Sequence, residues 1–280
     1  MPVKTIHHPA TGQIFALGRN KPLVLGPRLS LKNYLGRKLA PAPDCDWTKR
    51  AMRSLLQMYL NGTTSPGVPV LGCCVIAWLA HMFGIFNENA GGNPSIFTDA
   101  EIMSQYSLIG GYVPGDPSTD NGCDEVTALN HALQHGFTGH HFAGYLAVDG
   151  TDKEEVRQAV WLFENLMFGM NLPDAWISPF PSSSGFLWDV AGPPNPDNGH
   201  CPGGCGTNGT GVLTSTWAMV GTTTYDAIAQ YTSPSSGGSL YTVLSAESLR
   251  KAILKAPNGF DFTQLVADFQ AIGGSIGSLV

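Results

Sequence analysis

From Val68 to Phe86 the sequence VPVLGCCVIAWLAHMFGIF runs for 19 residues without an aspartate, glutamate, lysine or arginine. A segment this apolar has to be buried, so the rest of the chain has to close around it. Its length approaches the ~20 residues of a membrane-spanning helix. Pro69, Gly72, His81 and Gly84 interrupt it, however, and favour a core helix over residues 74–83, apolar on most faces. No membrane partner is expected. A chain of 280 residues can bury such a helix without disulfide staples.

The chain has a net charge of −6, which gives no cationic surface for nucleic acid. Charged residues make up 13%, about half the usual share. The 34 glycines and 20 prolines point to a loop-rich fold with a Gly/Ser/Thr surface, which suits a protein held in an assembly. The start, MPVKTIHHPATGQIF, lacks an apolar stretch behind a basic one, so no secretory signal is expected. Six cysteines fall far short of disulfide-scaffold density. No Walker-type GxxxxGK[ST] loop is present, which argues against P-loop nucleotide binding.

Helical patterns come first: residues 46–60, 74–83, a short helix behind the capping box Thr98–Glu101, and 123–135 stopped by Gly136. A second capping box, Thr151–Glu154, opens a helix running to about Asn165. Strands follow over 166–172, 212–219 and 241–245, with a hairpin turn at Asn208-Gly209. Two terminal helices are expected over 246–256 and 261–271. This order gives an α+β fold whose two halves form a cleft. The expected organisation is a partly basic N-terminal arm over 1–45, one two-lobed domain over 46–245, and a helical extension over 246–280.

Within this plan Cys74 stands at the first turn of the buried helix, where the helix N-terminus favours a thiolate. His200, far downstream between a loop and a hairpin, fits as its imidazole partner, and Ser215 or Thr216 on the return strand could orient the ring. An early Cys with a His some 130 residues later is a known nucleophile–base plan. His140-His141 lacks a Cys or acid at ligand spacing and reads as loop. His131 and His135, four apart on a helix, lack the Glu of HExxH and read as an exposed or packed face.

LGCCVIAWLAHM, the Gly-Cys segment in STDNGCDEVTALNHALQHGF, DKEEVRQAVWLFENLMFGMNLP and the His hairpin LWDVAGPPNPDNGHCPGGCGTNGTGVLTSTWAM resemble, in that order, the papain-like cysteine peptidase superfamily. The resemblance is to a poorly characterised branch from phages and bacteria, and it covers roughly residues 13–275. It implies a helical half carrying Cys74 as nucleophile, packed on a half of antiparallel strands carrying His200 as base. Ser215 matches the orienting residue, usually Asn, with Thr216 beside it, and Trp217 matches the aromatic that follows. The position expected for the oxyanion donor is Val68, which cannot donate, and Asn61 is the nearest amide. CPGGCG replaces the apolar run expected after the His, and Pro202 is unfriendly to a central strand.

The resemblance implies hydrolysis of amide bonds in a protein or peptide substrate, with no cofactor, in a bacterial host's cytoplasm or on a virion. Two alternatives stay open. One is an inactive module that binds an assembly partner, such as a virion-associated protein. The other is a zinc site in which Cys73, Cys201 and Cys205 join Cys74 and His200.

Overall fold

The apolar run becomes helix α2, Cys74–Asn89, with fourteen of its sixteen residues buried. The computed structural model describes residues 3–8, 11–22, 29–36, 41–63, 68–246, 249 and 260–271. Around α2 stand α1 (Thr48–Leu55), α3 (Asp99–Gly110) and α4 (Glu125–His135), and their side chains share one apolar cluster. Each large apolar side chain fully buried there contributes about 1.5–3 kcal/mol. Among the described residues no helix is long and apolar enough to cross a membrane.

The Thr98 capping box forms as expected: its side chain accepts from the Glu101 N–H while Glu101 reaches back. The second box does not form. Asp152 caps α5 (Lys153–Phe163) by accepting from Glu154 and Glu155 N–H, and Thr151 donates its hydroxyl to Asp149 instead. A carboxylate one residue later outcompetes the hydroxyl for the first-turn donors. Helix α1 also stops earlier than its pattern suggests. Tyr59 and Leu60 adopt positive φ values of 47° and 62°, which turns the chain toward Asn61.

The second half is a mixed sheet ordered β5–β12–β6–β9–β10–β11–β7. Its strands are β5 (Gly144–Ala147), β6 (Leu166–Asn171), β7 (Leu187–Trp188), β9 (Gly203–Thr207), β10 (Gly211–Thr216), β11 (Met219–Thr224) and β12 (Ser239–Leu244). The short β3 (Cys45–Asp46) pairs with β9, and β8 (Gly199–His200) pairs with β6. All pairs are antiparallel except β7–β11. Helices α5 and α6 (Tyr225–Tyr231) add side chains to a second apolar cluster, which α7 (Phe262–Ala271) joins through Leu265 and Phe269. The strand expected over 212–219 forms as β10 up to Thr216, then gives way to a two-residue turn at Trp217-Ala218 and the first residue of β11. The helix expected over 246–256 lies almost wholly outside the described residues.

CPGGCG has a packing reason. Pro202 sits in the break between β8 and β9, so it interrupts no ladder. Gly203 faces α2 so closely that a Cβ there would fall within the Trp78 indole. The helix carrying Cys74 therefore rests directly on strand backbone. A small second sheet consists of β1 (Lys4–His7), β2 (Ile14–Leu17) and β4 (Gly62–Thr63).

Candidate functional site

Cys74 is the first residue of α2. The turn before it is fixed by Asp120, whose carboxylate accepts from the Gly72 N–H at 3.1 and 3.2 Å. Tyr106 donates its hydroxyl to the same carboxylate at 2.6 Å and accepts from the Gly122 N–H at 2.8 Å. This network ties the turn before Cys74 to the Gly-Cys segment.

His200 enters from β8, held by the Met170 pairing. Its Nε2 lies 2.7 Å from the Thr216 hydroxyl, and the Trp217 ring stacks on it at 4.2 Å and 14°. The hydroxyl on the imidazole is thus that of Thr216. Ser215 Oγ instead faces the Leu55 carbonyl at 3.5 Å. In the tautomer that donates Nε2–H to Thr216, Nδ1 carries the free lone pair, and Nδ1 has no hydrogen-bond partner. The stack depends on the turn at Trp217 and Ala218, with φ of 47° and 59°, unusual for such residues. Local preference is overridden here to place an aromatic ring on the imidazole.

Cys74, His200, Asn61, Ser215, Thr216 and Trp217 line one cavity of about 20 Å³, room for roughly one water. Asn61 Nδ2 donates to the carbonyls of Ala16 at 3.0 Å and Leu71 at 3.1 Å. The amide is therefore at the site, and a backbone carbonyl of the chain's own N-terminal segment occupies it.

That segment runs past Cys74 and Asn61 and is tied to both halves. Cys123 N–H donates to Gly18 O at 3.0 Å, Asn20 N–H to Cys123 O at 2.9 Å, and Arg19 N–H to Gly199 O at 3.0 Å. Residues 18–20 are thus held by both halves, with Phe15 against the Trp217 ring at 5.6 Å. The Gly18 N–H acts on the Cys74 sulfur, so the strand offers the thiol a donor.

Closure sets the protonation states. Burial pushes the Cys74 thiol up to about 12, against the Gly18, Cys201 and Val75 N–H groups. Burial lowers His200 to about 3. In the closed form desolvation outweighs the helix N-terminus expected to favour a thiolate, and the pair is thiol and neutral imidazole.

The zinc alternative does not assemble. Cys73 donates its thiol to Tyr59 O at 3.2 Å, and the Cys205 thiol faces Leu213 O at 3.8 Å. All six cysteines are free, and among the described residues no group of three His, Cys, Asp or Glu could hold a metal. Sequence reasoning missed Asp120, Tyr106, Arg19 and Glu125. Arg19 lies in the arm's basic run, and Glu125 stands in the first turn of α4, where an acid is common in any helix.

No protein-family model and no curated protein matches the sequence. Solved structures do match. Xylellain, a cysteine protease from Xylella fastidiosa, aligns over 88% of this chain and 99% of its own, with a TM-score of 0.58 and 11% identity. Digestive procathepsin L 3 of Tenebrio molitor larval midgut aligns over 78% and 76%, with a TM-score of 0.52 and 13% identity. Procathepsin L2 from the same midgut aligns over 82% and 84%, with a TM-score of 0.50 and 13% identity. The chain has the papain-like α+β fold.

Proposed function

We propose that this protein is a papain-like cysteine peptidase or amidase held closed by its own N-terminal segment. The observation that carries the reading is the shared cavity of Cys74, His200 and Asn61, with Thr216 on the imidazole. When the segment lifts and water enters, a thiolate–imidazolium pair becomes accessible. The Cys74 sulfur attacks the carbonyl carbon of a protein or peptide amide. Asn61 Nδ2 and the Cys74 N–H donate to the oxyanion. His200 gives its proton to the leaving amine, which departs as the thioester forms. His200 then takes a proton from water, whose oxygen attacks the thioester carbonyl, releasing the carboxylic acid and the Cys74 thiolate beside the imidazolium. Thr216 and Trp217 hold the ring.

Hydrolysis of a mixed peptide-amide library by the full chain, followed by mass spectrometry, tests this. Turnover is expected for the wild type, absent in Cys74→Ala and His200→Ala, and retained in Cys45→Ala. Turnover that survives Cys74→Ala ends the proposal. Asn61→Ala is expected to lower turnover by about 10²–10³. Cys74 alkylation by a small reagent should not fall with it, because the Ala16 carbonyl loses its anchor and the segment loosens. A parallel loss of alkylation would place the effect of Asn61 on the reactivity of the Cys74 thiol, not on the oxyanion.

The closed, buried pair also favours a second reading, a scaffold kept for binding an assembly partner, as in a virion-associated protein of a phage. Full absence of hydrolysis, in the wild type and in a variant with the segment loosened at Arg19, is the result that reading expects.

A further inference from the structure

Arg19 is the one residue of the closing segment whose charge is wholly buried. Its Nε donates to Glu125 Oε1 at 2.7 Å, and both side chains are fully shielded from solvent. Nη1 donates to the Gly237 carbonyl at 2.6 Å. Nη2 donates to Ser239 Oγ at 3.2 Å and reaches Glu125 Oε2 at 3.5 Å. Ser239 in turn donates to Glu125 Oε2 at 3.3 Å. The cradle needs Gly169, because a Cβ there would overlap Glu125, Ser239 and the guanidinium together.

The place of this cradle matters as much as its chemistry. The Arg19 backbone is pinned between Cys123 and Gly199, the residue before His200, and its neighbour Gly18 acts on the Cys74 sulfur. A peptide replacing the segment in the cleft would lay a side chain over the same opening. Everything around the guanidinium is an acceptor, arranged for several N–H groups in one plane. Among the described residues no other cation pairs with Glu125. An apolar side chain would leave that carboxylate buried and unpaired, which is strongly unfavourable. A lysine ammonium could satisfy fewer of the acceptors.

We infer that Glu125, with Ser239 and the Gly237 carbonyl, forms a subsite beside Cys74 that selects substrates carrying arginine, and that Arg19 occupies it in the closed form. This rests on the peptidase reading, so the test has one arm independent of turnover.

In the first arm the full-length Arg19→Ala variant is heated with arginine amide or with citrulline amide, its neutral analogue. Arginine amide is expected to raise the melting temperature of the variant, citrulline amide is not, and Arg19→Ala/Glu125→Gln should respond to neither. Equal response to both amides, or to neither, overturns the subsite. In the second arm dipeptidyl acyloxymethyl ketones carrying arginine or norleucine at either residue are applied for hours. Both the unmodified chain, which reacts through transient opening, and Arg19→Ala are used. Cys74 labelling by the arginine probe is expected to be at least ~10-fold faster, with the preference lost in Glu125→Gln. Equal labelling of Cys74 by both probes overturns the subsite while sparing the peptidase reading. Arginine-specific rescue with Cys74 inert to both probes upholds the subsite and overturns that reading. Because the unmodified chain carries the second arm, the outcome does not depend on the variant folding.

Discussion

Gly203→Ala is expected to destabilise the protein by about 3 kcal/mol or more, at the upper end of overpacking costs. The new Cβ would lie within the indole of Trp78, a ring buried on all sides. Neither partner has room to yield: the glycine is in β9, paired on both edges, and Trp78 is one turn along α2 from Cys74. The strain must push α2 off the sheet, so the Cys74–His200 arrangement should suffer along with stability. Trp78→Leu in the same chain removes the ring and should recover a large part of the loss. A double-mutant cycle of denaturant midpoints reads this directly. A Gly203→Ala protein as stable as the wild type, or costs that simply add in the double variant, would show that helix and strand are not packed as described.

That contact also shows where the sequence was legible. The apolar run, its cysteine and the Asn208-Gly209 turn announce themselves through local chemistry. Asn208 accepts from Thr210 and Gly211 N–H as a hairpin asparagine should. CPGGCG looked like a departure from a good strand, because its reason is a tryptophan 125 positions away. The choice between Ser215 and Thr216 was equally hidden. Successive strand side chains face opposite ways, so one residue of phase decides which hydroxyl meets the imidazole. The polar run TST has no apolar alternation to fix that phase. The Trp217-Ala218 turn lacks the Asn or Gly that such a turn prefers, and the stacking of Trp217 on His200 and its packing against Phe15, Phe180 and Trp188 account for it. Arg19 and Glu125, 106 positions apart, carry no local sign of one another.

Acidification from about pH 6.5 to 4.5 is expected to lower stability, and Glu155→Gln is expected to steepen the fall. Burial lowers His200 to about 3 and His81 to about 4, the latter despite the Ser54 carbonyl beside its Nδ1. In this window the unfolded chain therefore takes up protons on both that the native state refuses. Their stabilisation is fully present above about 6.5 and lost as pH falls toward those values. Glu155 opposes them. Burial pushes it up to about 7, so the native state holds a proton there that the unfolded chain has released. Two protons against one leaves about one net, a slope of roughly 1.4 kcal/mol per pH unit at full occupancy. Asp120, raised by burial, adds to the side of Glu155, while His131 and His140, lowered by burial, add to the other. Glu155→Gln keeps an acceptor for the Asp149 N–H, removes the opposing proton and should nearly double the slope in urea titrations. A midpoint in that variant that stays flat or rises on acidification would refute the assignment. The consequence reaches the site, because His200 can take its proton only where water reaches it, with the N-terminal strand displaced. At about pH 5, dithiodipyridine, which reacts with thiols in acid, should therefore reach Cys74 before the equally buried Cys205, which lies away from the closing segment.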